Sequence, residues 1–326
     1  MALTTDASRY RPSAIWQLRL SLFMATYVLG ASALYPEVFY TSALIYSHKF
    51  LVGIPVLFIG GVCCAALIHG RRQPVRYALD LVQGRWRGCL LVLLFFFASL
   101  TAFSTYKIAI PSVVPYYADN WLADADEWLH GMPPWEIVHK LDSNNWSFVV
   151  FNSYEVIWFY QWFGTILFVS LWSDEIARIR YLCAAALTLC VLGTVLALAL
   201  ASVGPVYYHH FVGVDRFHGL NAALDRLDHS YMVRDPAAYL LMAYQSGRPS
   251  LGGGISAMPS MHVAFAALNA YLLSSINRWL GVLGWTFAAL ILYGSVFTGW
   301  HYAVDGYASI VVVSVIWWAT GRLVRE

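Results

Sequence analysis

Two histidines and one aspartate are the residues here whose types and spacing can do chemistry. His262 stands in the run MPSMH, His301 in TGWHYAVDGY, and Asp305 follows His301 by four residues. On a helix a four-residue step stacks two side chains on one face, which places the Asp305 carboxylate to accept the Nδ1 proton of His301. That pairing orients the ring and raises the basicity of its far nitrogen, the arrangement that turns a histidine into a nucleophile or a base. Alone, an H-x-x-x-D pair most often does no more than satisfy itself at a helix end. The second histidine shifts the weight toward chemistry. Pro259 and Ser260 mark a helix start with a capping hydroxyl, and the free amides beside His262 suit phosphate oxygens. Glycines 252–254, just before, let the backbone approach a ligand closely.

The elements that position these groups belong in lipid. Of the 326 residues, 60% are hydrophobic and 12% charged, against about 45–50% and about 25% in soluble domains. Apolar stretches of roughly 20 residues, enough to cross a hydrocarbon core, recur along the chain. Eight are read, near 15–34, 50–69, 88–110, 153–172, 181–203, 259–276, 279–297 and 300–319. The fold class expected is therefore all-α, a polytopic membrane protein of about eight transmembrane helices and a single domain over 1–326. Asp305 falls inside the last stretch, where a carboxylate costs a few kcal/mol and is normally paired or functional.

Charge asymmetry gives an orientation. One alternate set of connections, with both termini, holds 13 of the 20 Lys and Arg but 5 of the 18 Asp and Glu. Basic loops stay cytoplasmic, so both termini are expected in the cytoplasm and both long loops outside. His262 and His301 then open their helices at the outer face of the plasma (inner) membrane, the periplasmic or extracellular side. Arg9 and Arg11 precede an apolar stretch with no small-residue cleavage site before Tyr35, so the first helix is expected to stay. The five cysteines fall in or beside the spans and read as small apolar residues.

The outer loops are rich in aromatic residues. Residues 119–141, with Trp121, Leu122, Trp128 and Leu129 spaced partly as on a helix, can lie flat on the outer surface or form a packed loop. Tyr154, Trp158, Tyr160 and Trp162 read as packing and interface anchors before a substrate box. Positive charge for an oxyanion can come from Lys107, at the outer end of the third stretch, although a lysine there can also simply snorkel to the interface. Arg248, beside the glycines, is a second candidate. Arg216, Arg226 and Arg234 each neighbour an aspartate and suit solvated pairing. His209, His210, Asp215 and His218 fit no metal-ligand spacing, so neither a metal nor another cofactor is expected. No basic run points to nucleic acid.

The short motifs resemble those of the type 2 phosphatidic-acid phosphatase superfamily, whose second and third motifs read P-S-x-H and H-x-x-x-D. Pro259, Ser260 and His262 match the former; His301 and Asp305 match the latter. The resemblance implies that His301 attacks phosphorus to give a phosphohistidine, that Asp305 supports it, and that His262 protonates the leaving group, with Lys107, Arg248 and Ser260 holding the phosphate. The family's first motif, K-x(6)-R-P, survives only as Lys107 with Val114 and Pro115, and Gly294 and Ser295 stand where S-R precedes the later histidine. With two phosphate-binding arginines missing, the chain is similar to the inositol phosphorylceramide synthase and sphingomyelin synthase branch, which moves a phospho-headgroup between lipids. His301, Tyr302 and Asp305 follow that branch's H-Y-x-x-D. The stretch from Lys107 through Asp119, Asp126, Gly131 and Pro134, and GPVYY at 204–208, look like bacterial relatives of the synthase. On this resemblance 87–323 is the catalytic helical core and 1–86 two helices outside it. A membrane lipid is the implied partner, with a lipid phosphate phosphatase as the nearer alternative and a non-catalytic lipid-binding or transport protein as the rival from another class.

Overall fold

The structure, a computed structural model, describes residues 14–70, 72–140, 144–171 and 174–324. Arg9 and Arg11 lie outside these residues. Among the described residues all regular structure is helical. Helices α1 (Ala14–Leu34), α2 (Pro36–His69) and α3 (Pro74–Val113) form the N-terminal part, α2 and α3 each beginning on a proline, tolerated there because the first amide of a helix has no partner to lose. Two short helices follow, α4 (Asp119–His130) and α5 (Pro134–His139). α6 (Asn144–Phe151) continues through a π-helical turn, Asn152–Ile157, into α7 (Trp158–Leu171). α8 (Glu175–Leu187) starts where the Asp174 carboxylate accepts from the Ala177 amide. It runs through a second π-helical stretch, Thr188–Leu196, into α9 (Ala197–Ala199). Beyond α10 (Tyr208–Val212), α11 (His218–Asp225) and α12 (Tyr231–Ser246) come α13 (Met261–Ile276), α14 (Arg278–Phe297) and α15 (Ala303–Leu323).

Every one of the eight apolar stretches is largely helical. Five helical segments are long and apolar enough to cross a membrane: Pro36–His69, Pro74–Val113, Glu175–Ala199, Arg278–Phe297 and Ala303–Leu323, with Met261–Ile276 a shorter apolar helix. The protein is an all-α polytopic membrane protein. On α2, Leu51, Val52 and Val56 are 75%, 70% and 66% exposed, a run of bare aliphatic surface suited to lipid contact. The boundary drawn at 86/87 falls inside the continuous α3.

The principal core joins the C-terminal helices to α7 and α8 and includes Phe265, Leu268, Trp162, Phe163, Tyr181, Leu192, Ile291 and Val313. A second cluster lies at the end of the bundle where α15 begins, and gathers Leu122 of α4, Phe151 of α6, Leu220 and Leu224 of α11, Phe297 and Tyr302. Residues 119–130 form one helix with a packed face. Asp119, Leu122, Ala123 and Asp126 turn inward, while Trp128 and Leu129 stay exposed. The buried face of α4 is not merely apolar, because Asp126 reaches the Ala303 and Val304 amides just after His301 and Asp119 reaches the Tyr302 hydroxyl.

Candidate active site

α13 begins at Met261 because the Ser260 side chain, in extended backbone, accepts from the Val263 amide. Helix geometry leaves the amides of Met261 and His262 without an intrahelical partner. Ser260 is fully buried in this capping role, so its hydroxyl is a cap first. The His262 ring lies between two aromatic faces, 4.4 Å from the Tyr154 ring at 16° and 3.9 Å from the Trp158 ring at 35°. The Trp158 indole also donates to the His262 carbonyl at 2.8 Å. One side chain thus pins both the backbone and the ring of His262.

The sequence reading treated Tyr154, Trp158, Tyr160 and Trp162 as packing anchors. Tyr160 is exposed, but the other three line the cavity that His262 and His301 share. The cause is their four-residue spacing, which the wide π-helical turn at Asn152–Ile157 keeps along one face.

His301 precedes α15, and its Nδ1 lies 2.7 Å from the Ala257 carbonyl oxygen and 3.4 Å from Asp305 Oδ2. A carbonyl can only accept, so Nδ1 carries the proton and Nε2 is left with its lone pair. The sequence gives Asp305 as the proton acceptor; the geometry makes the Ala257 carbonyl the nearer one and Asp305 a flanking anion. Asp305 is fully buried and also accepts from the Tyr302 amide at 3.0 Å, which closes the first turn of α15.

Two carboxylates from α4 hold this turn from outside. Asp126 accepts from the Ala303 and Val304 amides at 2.8 and 2.9 Å. Asp119 accepts from the Tyr302 hydroxyl at 2.9 Å and from the amides of Val203 and Gly204. Burial raises both carboxyls above the usual range, while these donors pull them back. The resemblance had marked Asp119 and Asp126 without a role. Asp126 sits at the N-terminus of α15, where negative charge also meets the positive end of the helix dipole, and Asp119 ties the Tyr302 hydroxyl to the backbone at Val203 and Gly204.

The two imidazole rings lie with centroids 6.5 Å apart, tilted by 60°, at the wall of a cavity of about 650 Å³. Tyr46 of α2, Lys107 of α3, Glu155 of the π turn and glycines 252–254 line it as well. Gly254 has φ +84°, and a Cβ there would come within 2.8 Å of the Lys107 backbone. Gly254 therefore permits close contact with α3 beside Lys107, while all three glycines line the cavity. Lys107 forms no ion pair among the described residues, and its helix brings it into the cavity with both histidines.

Arg248 is exposed and is not among the residues lining the cavity. Arg216 pairs with Asp124 and Glu127 of α4, and Arg234 with Asp225; both are occupied in the outer layer, and Arg226 is exposed. Among the described residues no group of three or more His, Cys, Asp or Glu is placed to hold a metal ion. His218 meets Asp215, and His210 approaches Gln245. Glu155 was missed in the sequence, although a carboxylate within a predicted span carried the same signal that singled out Asp305.

A family model of the PAP2 superfamily matches residues 120–319, which takes in His262, His301, Asp305 and Asp126 but leaves out Lys107 and the rest of the first-motif stretch. No curated protein and no solved structure matches the chain. The match covers more than half of the sequence and carries both histidine motifs, and the chain accordingly belongs to the PAP2 superfamily of phosphoric-ester hydrolases and phosphotransferases.

Proposed function

We propose that the protein is a lipid phosphotransferase that moves a phospho-headgroup from a donor phospholipid to an acceptor hydroxyl, the reaction type of inositol phosphorylceramide synthase. The observation that carries this reading is the pair of neighbouring histidines on one cavity, one with its Nδ1 proton tethered and the other stacked with no ring hydrogen bond among the described residues. His301 Nε2 attacks phosphorus, a P–N bond forms, and the P–O bond to the donor alcohol breaks as His262 protonates the leaving oxygen. The acceptor hydroxyl then gives its proton to His262 and attacks the same phosphorus, and the P–N bond breaks. Throughout, the Nδ1 proton stays between the Ala257 carbonyl and Asp305, which stabilise the charge that builds on the ring.

Charge in the cavity favours a phosphodiester donor over a phosphomonoester. Besides the two histidines, Lys107 is the one basic residue lining it among the described residues, and Glu155 and Asp235 line it too. A phosphodiester brings one negative charge, a phosphomonoester up to two, and phosphoryl transfer depends chiefly on how that charge is stabilised. The charge asymmetry of the sequence supports an active site on the outer face of the plasma membrane with both termini cytoplasmic. Labelling of an Arg248→Cys protein by a membrane-impermeant maleimide on intact cells, with the native cysteines replaced, tests that side; protection until lysis reverses the orientation.

The chemistry is tested with purified protein in nanodiscs, a phospholipid labelled at phosphorus, and a ceramide or diacylglycerol acceptor. Label is expected to appear on protein as an acid-labile phosphohistidine, absent in His301→Ala, and to chase into the acceptor. Chase only into water, with free headgroup phosphate released, makes the protein a phosphatase. Lipid binding with no covalent label and no product makes it a binding or transport protein.

A further inference from the structure

The reaction cavity holds two carboxylates that the proposed chemistry leaves unused. Glu155 lies on the π-helical turn between the rings that clamp His262, and its Oε1 accepts from the Trp300 indole at 3.1 Å. The residue that orients Glu155 is thus the one immediately before His301. Its second carboxylate oxygen makes no hydrogen bond among the described residues. Asp235, on α12, lines the same cavity and forms no ion pair among the described residues. Aromatic faces surround them: Trp300 and Tyr207 meet edge to face at 5.8 Å, and Trp158, Phe159 and Trp162 continue the wall.

Two kinds of group suit a carboxylate among aromatic rings, a polyol and an ammonium. Charge decides between them. Lys107 and the proton that His262 carries as acid oppose Glu155, Asp235 and the phosphodiester, so a neutral headgroup would leave one negative charge in excess in a partly enclosed apolar cavity, where like charges repel strongly. An ammonium removes that excess, and indole and phenol faces attract it further. We propose that Glu155, with Asp235, forms a subsite for an ammonium group, primary or quaternary, carried by the headgroup of the donor lipid. The donor is then zwitterionic, its phosphate between His262, His301 and Lys107 and its cation between Glu155 and Trp300. This rests on the phosphodiester reading of the site and names the donor's class.

The test compares ammonium headgroups with neutral ones at the same phosphate charge. In nanodiscs at mildly alkaline pH, wild-type protein is expected to turn over phosphatidylcholine or phosphatidylethanolamine with kcat/KM about tenfold or more above phosphatidylglycerol and phosphatidylinositol, as a desolvated cation contact allows. Glu155→Gln keeps the shape and the Trp300 contact; it is expected to lower the ammonium lipids about tenfold more than the neutral ones, and Glu155→Asp to restore part of the preference. A wild-type preference for the neutral lipids, or an equal loss on both classes, overturns the subsite. Binding is read separately in a His301→Ala background, from tryptophan fluorescence with glycerophosphocholine and glycerophosphoglycerol. If no lipid turns over, the phosphotransfer reading falls, and the binding ratio still decides: preference for glycerophosphocholine that Glu155→Gln removes upholds the subsite, and equal binding rejects it.

Discussion

The turn that carries His301 and the turn that carries His262 are built on opposite principles. His301 is held through its nitrogen, by the Ala257 carbonyl and Asp305, on a turn whose backbone Asp126 caps from a distant helix while Asp119 holds the Tyr302 hydroxyl. His262 is held by its faces, between Tyr154 and Trp158. A hydrogen bond to a carbonyl fixes a tautomer, whereas stacking fixes a plane and leaves both nitrogens able to gain or lose a proton. The difference suits a division of labour in which the nucleophile must keep one proton and expose one lone pair, and the acid and base must exchange a proton in each half-reaction. On the proposed mechanism, one residue type takes two roles according to what touches each ring.

Removing the rings separately gives the largest expected effects. His301→Ala is expected to abolish transfer, by four orders of magnitude or more on the ~10⁴–10⁶ scale seen when a triad member is lost. Turnover near the wild-type rate would make the tethered ring structural. His262→Ala is expected to cost about 10²–10⁴ in kcat with a natural lipid, the span typical of general acid–base catalysis. With a donor whose leaving group is a nitrophenol, which needs no proton, formation of the phosphohistidine should recover while its transfer to an alcohol stays slow. Equal loss with both donors would remove the acid role.

The next effect tests whether the outer layer matters to one histidine alone. Asp126→Asn leaves a single carbonyl oxygen for the two amides of Ala303 and Val304, so one charge-assisted bond is lost and the other weakened, a change of ~1.5–3 kcal/mol. About a tenfold fall in the rate of phosphohistidine formation is expected. With the donor that needs no leaving-group proton, the loss should persist, because the defect lies at His301; in His262→Ala it should add rather than vanish. Loss confined to the natural donor would place the effect at His262 and erase the distinction between the turns.

How much of this was readable in the sequence follows the same division. Pro259, Ser260 and His262, like His301 and Asp305, lie within a few residues of one another, so helix spacing and capping announced them. The apolar stretches announced the helices, since lipid demands length and hydropathy that few other structures need. The supports were not readable because they act over long separations. Asp126 is 177 residues from Ala303, and Asp119 is 183 from Tyr302. Nothing local to α4 says that its polar residues face inward. The glycine run suggested close approach to a ligand; the long-range contact between Gly254 and the backbone at Lys107 was not readable from it. Arg248 shows the converse: nearness in sequence to the glycines did not place its exposed side chain among those lining the cavity.

The smallest expected effect is the most discriminating. Trp158 touches His262 twice, by its ring face at 3.9 Å and by the indole donor to the carbonyl at 2.8 Å. Trp158→Phe keeps an aromatic face and removes the donor, whereas Trp158→Ala removes both. If stacking fixes the plane of His262, Trp158→Phe should lose only the net value of one hydrogen bond, ~0.5–1.5 kcal/mol, a few-fold in kcat. Trp158→Ala should lose substantially more and blur the limb of the pH–rate profile that reports the general acid, because a ring free to turn no longer presents one nitrogen to the leaving oxygen. Equal losses would show that the backbone bond does the holding. Both histidines would then be positioned by hydrogen bonds, and the contrast between them would reduce to where those bonds are made.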